Sequence, residues 1–266
     1  MKEKKGLLVA SFGTSHEGTE ARTIGAIERE LRAAYPDRSF YRAWTSRRIV
    51  KKIEEMRGIR YDHVPEALER MRRDGIRDVL IQPTHMLEGA EYRAVSDAVA
   101  SAGASFAEVR MGEVLLAGTE DVRAIARALE EVFGEVKETD MLALMGHGSA
   151  SLTFPVYDLL EKQFLADGYP HVVVGTVEHE PGFAPVLRRA GERAPETIYL
   201  APFLVVAGEH AIHDMAGDAP TSWKGRLERA GFRTVSILKG IGEYPQIQRI
   251  YTEHAGRAKP AGNRQE

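Results

Sequence analysis

The feature that most constrains the fold of this 266-residue chain is a recurring unit in which a short apolar run ends at a glycine and hands over to a polar turn. It is clearest at Ile198–Val206, long enough for a buried strand, which breaks at Gly208 into Glu209-His210-Ala211-Ile212-His213-Asp214. The same unit recurs at Met141–Met145, which runs into Gly146-His147-Gly148-Ser149, and at Val172–Val177, which runs into Glu178-His179. Unbroken apolar runs separated by helix-period segments predict parallel strands covered on both faces. A parallel sheet brings its strand ends into one row, so the three polar turns are expected together at one carboxyl edge.

Read in order, the first half predicts strands over Leu7–Phe12, Phe40–Trp44, Val79–Gln82 and Phe106–Met111. Helices are expected over Thr19–Tyr35, after the cap Ser46 with Ile49, Ile53 and Met56 on one face, from Pro65 to Gly75, over Tyr92–Ala102, and after the cap Thr119. The second half predicts strands over Met141–Met145, Val172–Val177, Ile198–Val206 and Val235–Leu238. Its helices are read over Val156–Ala166, Pro185–Ala190, Trp223–Ala230 and Tyr244–His254, followed by a disordered polar tail from Gly256. The halves read as copies. Val9-Ala10-Ser11-Phe12-Gly13 parallels Leu144-Met145-Gly146-His147-Gly148, and Pro83…Gly89…Glu91 parallels Pro202…Gly208-Glu209. The expected fold is α/β, two similar four-stranded parallel halves at 1–136 and 137–266 with a cleft between them. The second half carries the histidines and the first forms the opposite wall.

Composition narrows the function. A net charge of −3 argues against general nucleic-acid binding, and the absence of cysteine excludes thiolate metal sites and thiol nucleophiles. No stretch reaches the roughly 18 apolar residues of a membrane span. The apolar run after the basic Met1–Lys5 is too short for a signal sequence, so a cytoplasmic location is the expectation.

Two imidazoles, His147 and His210, with the carboxylate of Glu178 on a neighbouring strand suit a divalent Co, Ni, Fe or Zn ion. The alternative for His147 is a cap on the following helix. His179 and His213 read as supports of the site or as exposed groups, and His85, with Glu88 and Glu91, belongs to the first-half loop facing the cleft. Ser11 and Ser149 raise a hydrolase reading, but neither lies in a G-x-S-x-G elbow. Ser11–Ser15 reads instead as an anion cradle at a helix start. Arg47, Arg48, Lys51 and Lys52 form either a solvated helix face or, beside Trp44, a carboxylate-binding patch.

Val9–His16, Ala43–Ile49, Gln82–Tyr92, Met145–Ser149, Gly175–Glu178 and Pro202–Lys224 together resemble the anaerobic cobalt chelatases of cobalamin biosynthesis, from about residue 6 to 250. The resemblance implies a class II chelatase fold and insertion of Co(II), as substrate metal and without an organic cofactor, into sirohydrochlorin. Catalytic and metal-binding roles fall on His147, Glu178 and His210. For such a substrate, the residues themselves suggest Arg47, Arg48 and Lys51 as partners of its carboxylates, and Phe12 and Leu87 as contacts on the macrocycle face from the opposite half. The expected partner is the tetrapyrrole, with neither nucleic acid nor membrane; a homo-oligomer is compatible with the sequence. His179 stands where the family usually has glycine, and His213 where it usually has asparagine, so nickel or iron stays open as the metal. Two other readings also stay open: a tetrapyrrole or metal carrier using the same cleft without insertion, and a hydrolase using Ser149 with His147.

Overall fold

The computed structural model describes residues 3–148 and 155–261; Ser149 lies outside the described residues. The first part of the chain runs β1 (Lys4–Ser11), α1 (Glu17–Arg22), α2 (Ile24–Ala34), β2 (Ser39–Trp44), α3 (Arg47–Arg57), α4 (Val64–Arg73), β3 (Ile76–Pro83), α5 (Ala90–Ala102) and β4 (Glu108–Met111). The second runs α6 (Thr119–Phe133), β5 (Met141–Gly146), α7 (Val156–Ala166), β6 (Val172–Thr176), α8 (Ala184–Arg193), β7 (Ile198–Pro202), a π-helical turn (His210–Met215), α9 (Trp223–Arg229) and β8 (Thr234–Ser236). Helix α10 (Pro245–Gly256) and a short strand β9 (Lys259–Pro260) close it.

Two separate sheets form, ordered β2-β1-β3-β4-β9 and β6-β5-β7-β8. Setting β9 aside, both are parallel and follow one winding: the first strand of each set lies between the second and the third, and the fourth lies outermost. The internal copy read from the sequence is therefore repeated strand for strand. The central strands are apolar on both faces, as a helix-covered parallel sheet requires: all six residues of β5 are buried, as are the last six of β1. Leu8, Val79, Ile81, Leu68 and Met71 belong to the core of the first unit. The core of the second includes Met141, Ala143, Met145, Val173, Leu200, Phe183 and Trp223.

The contacts divide the chain elsewhere than at 136/137. One unit comprises 1–117 with 248–266, the other 118–247. Helix α6 joins the second unit because it packs on α7. The end of α10 joins the first because Tyr251 is fully buried there and donates its hydroxyl to the Thr84 carbonyl at 2.8 Å. Lys259 and Pro260 pair antiparallel with β4, where the sequence led us to expect disorder.

Local differences have local causes. The helix expected over Thr19–Tyr35 breaks at Thr23, whose hydroxyl bonds the Thr19 carbonyl at 2.6 Å and whose backbone leaves helical geometry. In α3 the inward face is Val50 and Ile53, with Ile49 half-buried; Met56, expected inward, is 65% exposed. Gly118, not Thr119, occupies the cap of α6. Strand β7 stops at Pro202 and does not reach Val206, because the Leu204 and Val205 carbonyls accept from Ile241 and Gly242 instead of from a sheet neighbour. Among the described residues no helix is long and apolar enough to cross a membrane.

Candidate metal-binding site at the carboxyl edge of the second sheet

Strands β6, β5 and β7 are neighbours in that order, so their carboxyl ends stand side by side. The parallel ladder continues past the strand ends. Val177 N–H donates to the Gly146 carbonyl at 2.9 Å, and Glu178 N–H donates to the His147 carbonyl at 2.8 Å. These bonds set His147 and Glu178 next to each other before any ligand is considered. They also explain the small residues around His147. A Cβ on Gly146 would lie 2.4 Å from the Tyr157 ring. Gly148 has φ +84°, and a Cβ there would lie 1.6 Å from the Glu178 carbonyl oxygen. The Gly148 N–H is held by the Tyr157 hydroxyl oxygen at 3.0 Å. On the β6 side, Thr176 donates its hydroxyl to the His179 carbonyl at 2.9 Å and accepts from Gly182 N–H at 2.8 Å, which pins the loop that carries Glu178.

His210 arrives by a different device. After β7 the chain makes a π-helical turn, a geometry that recurs at functional sites. Ala211 and Met215 are buried and hold the turn against the core; Glu209, His213 and Asp214 are exposed, and His210 is half-buried. The turn forms two carboxylate–imidazole pairs at i,i+4: His210 Nδ1 to Asp214 Oδ2 at 2.7 Å, and His213 Nε2 to Glu209 Oε2 at 3.1 Å.

One ligand atom from each of His147, Glu178 and His210 lies within 4.8 Å of the others. The two imidazole rings stand edge to face, with centroids 5.1 Å apart. Both Nδ1 atoms face acceptors, the Gly148 carbonyl at 2.9 Å for His147 and Asp214 for His210. In the neutral form of each ring this geometry favours the tautomer with the proton on Nδ1 and the lone pair on Nε2. Two nitrogens and a carboxylate without sulfur suit a divalent first-row ion, and three ligands leave coordination positions open. His213 is engaged by Glu209, and His179, exposed at φ +57°, is not in the cluster.

The first unit gathers the other named residues at the carboxyl edge of its own sheet. Thr45 N–H donates to the Ser11 carbonyl at 2.9 Å and Ser46 N–H to the Phe12 carbonyl at 3.2 Å, so the β1 and β2 loops are zipped as the β5 and β6 loops are. Phe12 is 47% exposed, large for an apolar side chain at a strand end. Arg47 and Arg48 are exposed in the first turn of α3, where the helix dipole disfavours cations. Leu87, half-buried, lies in the loop after β3. Lys51 is exposed and pairs with Glu55 at 3.7 Å. Ser11 is buried and accepts from the Thr84 hydroxyl at 2.8 Å, which occupies it structurally. The anion cradle expected at Ser11–Ser15 does not form at a helix start: α1 begins at Glu17 and carries Glu17 and Glu20 in its first turn.

His85 is buried deeply enough to be held neutral. Burial pushes its pKa down to about 4; Nε2 meets the Thr45 hydroxyl at 3.2 Å, and Nδ1 has no hydrogen-bond partner among the described residues. Below about 6.5 the unfolded chain protonates this imidazole and the folded chain does not, so stability falls with pH from there toward 4. The loss should be on the order of 1–3 kcal/mol. Urea denaturation between about pH 7 and pH 4.5, the window that this depression opens, checks it. The midpoint should drop less in His85→Gln than in the parent, and equal slopes would refute the assignment.

What a sequence reading misses here is the support: Asp214, Tyr157 and Thr176. His-x-x-x-Asp at 210–214 is visible as a spacing, but only a helical turn makes it a pair.

Residues 5–259 match the family model described as cobalt chelatase (CbiK). A sirohydrochlorin cobaltochelatase of Salmonella typhimurium is 35% identical over 255 residues, covering 96% of each chain. The sirohydrochlorin cobaltochelatase CbiKC of Nitratidesulfovibrio vulgaris is 31% identical over 264 residues, covering 97% of this chain and 92% of the relative. Among solved structures, SirB from Bacillus subtilis with Fe3+ superposes with a TM-score of 0.65 at 13% identity, covering 96% of this chain and 95% of that one, a likeness of fold. With a matching model over nearly its whole length and two relatives above 30% identity, the chain belongs to the cobalt chelatase family.

Proposed function

We propose that this chain inserts Co(II) into sirohydrochlorin. The observation that carries the reading is the convergence of one ligand atom each from His147, Glu178 and His210 within 4.8 Å, with Nδ1 of both imidazoles engaged by neighbouring oxygens. The Nε2 atoms of His147 and His210 and the Glu178 carboxylate hold the incoming metal ion, which is a substrate here. Insertion replaces two pyrrole N–H protons by one M(II). Neutral imidazole serves both as ligand and, once the metal has left it, as proton acceptor. Glu178 offsets the metal charge before transfer. His179 and His213 lie one and three residues along the chain from Glu178 and His210, so the choice among cobalt, nickel and iron is part of the test.

We assign the macrocycle contacts to the first unit. Arg47 and Arg48 pair with substrate carboxylates, and Phe12 and Leu87 meet the apolar face of the ring. The unfavourable placement of two arginines in the first turn of α3 supports an anionic partner. The Arg47→Ala, Arg48→Ala double variant should raise KM for sirohydrochlorin about tenfold with a smaller change in kcat, since contacts remote from the metal serve ground and transition state alike. A fall in kcat at unchanged KM would count against this role.

The experiment for the function is direct. Purified protein is incubated with sirohydrochlorin and Co(II), Ni(II) or Fe(II), and the absorbance of the macrocycle is followed against protein-free controls. A cobalt-dependent spectral change above the uncatalysed rate is expected. Binding of the macrocycle without accelerated insertion of any of the three ions would favour a carrier.

A further inference from the structure

We infer that Asp214 is a positioning residue for metal delivery: its carboxylate fixes the tautomer and the orientation of His210, so that Nε2 faces His147 and Glu178. The inference rests on the metal-site reading above and deepens it. The two histidines are held in unlike ways. The Nδ1 acceptor of His147 is the carbonyl of the next residue, part of a backbone already bound to β6. That of His210 is a side chain, Asp214 Oδ2 at 2.7 Å. His210 has 37% of its side chain exposed, so packing alone does not set its ring. The π-helical turn brings the two residues onto one face, and buried Ala211 and Met215 anchor the turn independently of Asp214.

A carboxylate on Nδ1–H does two things for a metal-binding imidazole. It excludes the tautomer that would put the proton on the metal-facing nitrogen, and it makes the lone pair on Nε2 more basic. The same turn holds an internal comparison. Glu209 and His213 form the other i,i+4 carboxylate–imidazole pair, through Nε2 at 3.1 Å, but His213 is not among the residues whose ligand atoms converge.

The test is Co(II) titration of the full chain without macrocycle, followed by the visible cobalt spectrum, with insertion kinetics alongside. Asp214→Ala should weaken Co(II) binding about 10- to 100-fold. KM for cobalt should rise while KM for sirohydrochlorin stays unchanged. The bound-cobalt spectrum should shift, and the unfolding midpoint should stay near that of the parent, because a half-exposed pair contributes little to stability. Asp214→Asn, which keeps an acceptor but not the charge, should lose less than Asp214→Ala and serves as the measured variant if alanine fails to fold. Glu209→Gln should bind cobalt as the parent does. The inference is overturned if Asp214→Ala binds cobalt within about twofold of the parent, or if Glu209→Gln loses as much. His210→Ala in the same titration separates the two levels. A loss there with none in Asp214→Ala overturns the positioning role alone, whereas cobalt affinity unchanged in His210→Ala overturns the metal site itself.

Discussion

His210→Ala should abolish catalysed cobalt insertion at limiting metal while leaving sirohydrochlorin affinity within about twofold of the parent. In the proposed site the residue is one of three whose ligand atoms lie within 4.8 Å of one another. Two remaining ligands hold a divalent ion far less well than three, and their donor set, one imidazole and one carboxylate, resembles many exposed surface pairs. Loss of a proton acceptor adds to this, since one such group typically contributes about 10²–10⁴ in rate. The effect should therefore exceed a hundredfold in kcat/KM for cobalt. Raising the metal concentration should recover only the part that belongs to binding. The side chain is half-exposed and its partner is a surface carboxylate, so the fold should survive the change. Insertion rates at saturating and limiting cobalt, with fluorescence or absorbance titration of the macrocycle, provide the measurement. Insertion at near the parental rate at limiting metal would mean that the metal is held elsewhere.

Gly148→Ala should be nearly as damaging, although position 148 offers no side chain to the chemistry. The residue sits at φ +84°, and the added methyl would overlap the Glu178 carbonyl at 1.6 Å. No side-chain rotation relieves a clash with backbone, so either the β5 loop or the β6 loop must move. Those two loops present His147 and Glu178, whose spacing rests on the bond from Glu178 N–H to the His147 carbonyl. The expected result is a loss of cobalt affinity of at least about tenfold, on the scale of disturbing the support of a metal ligand. A fall in stability on the order of 1–3 kcal/mol should accompany it. Gly168→Ala provides the control. It has a similar φ of +89° with nothing within 4 Å of the added carbon, so it carries the backbone strain without the overlap. Its stability should fall while its cobalt affinity does not. Equal cobalt affinity in Gly148→Ala and Gly168→Ala would show that the contact between the loops does not set the site.

The convergence of the candidate residues was legible where they sit directly on strand ends. His147 follows β5 by one residue and Glu178 follows β6 by two. Strand periodicity is local, and a parallel sheet turns strand ends into a row, so the two could be placed together without coordinates. His210 was also named, but the path to it was misread: the strand stops at Pro202, and the residue is delivered eight positions later by a π-helical turn. No local pattern separates a π-helical turn from a loop. Its stability comes from burying Ala211 and Met215 in the core around β7, which is a property of the whole unit.

By itself, the sequence determined the α/β class, the parallel strands and the duplicated order. Apolar run length and period report burial directly, and the second half repeats the first in kind. The absence of cysteine also ruled out thiolate ligands, and the polar turns at the strand ends put imidazoles and carboxylates forward as the donors. Tertiary structure alone decided which partner each group meets: Asp214 on His210, the Glu178 carbonyl against Gly148, and Thr45 on a neutral His85. It also decided that Lys259 and Pro260 return to the first sheet as β9. Except for the Asp214–His210 pair, these contacts join segments whose separation in the chain carries no periodic signal. Each exists because a sheet and its helices, once packed, leave one geometry in which the loop backbones are bonded and the side chains do not overlap.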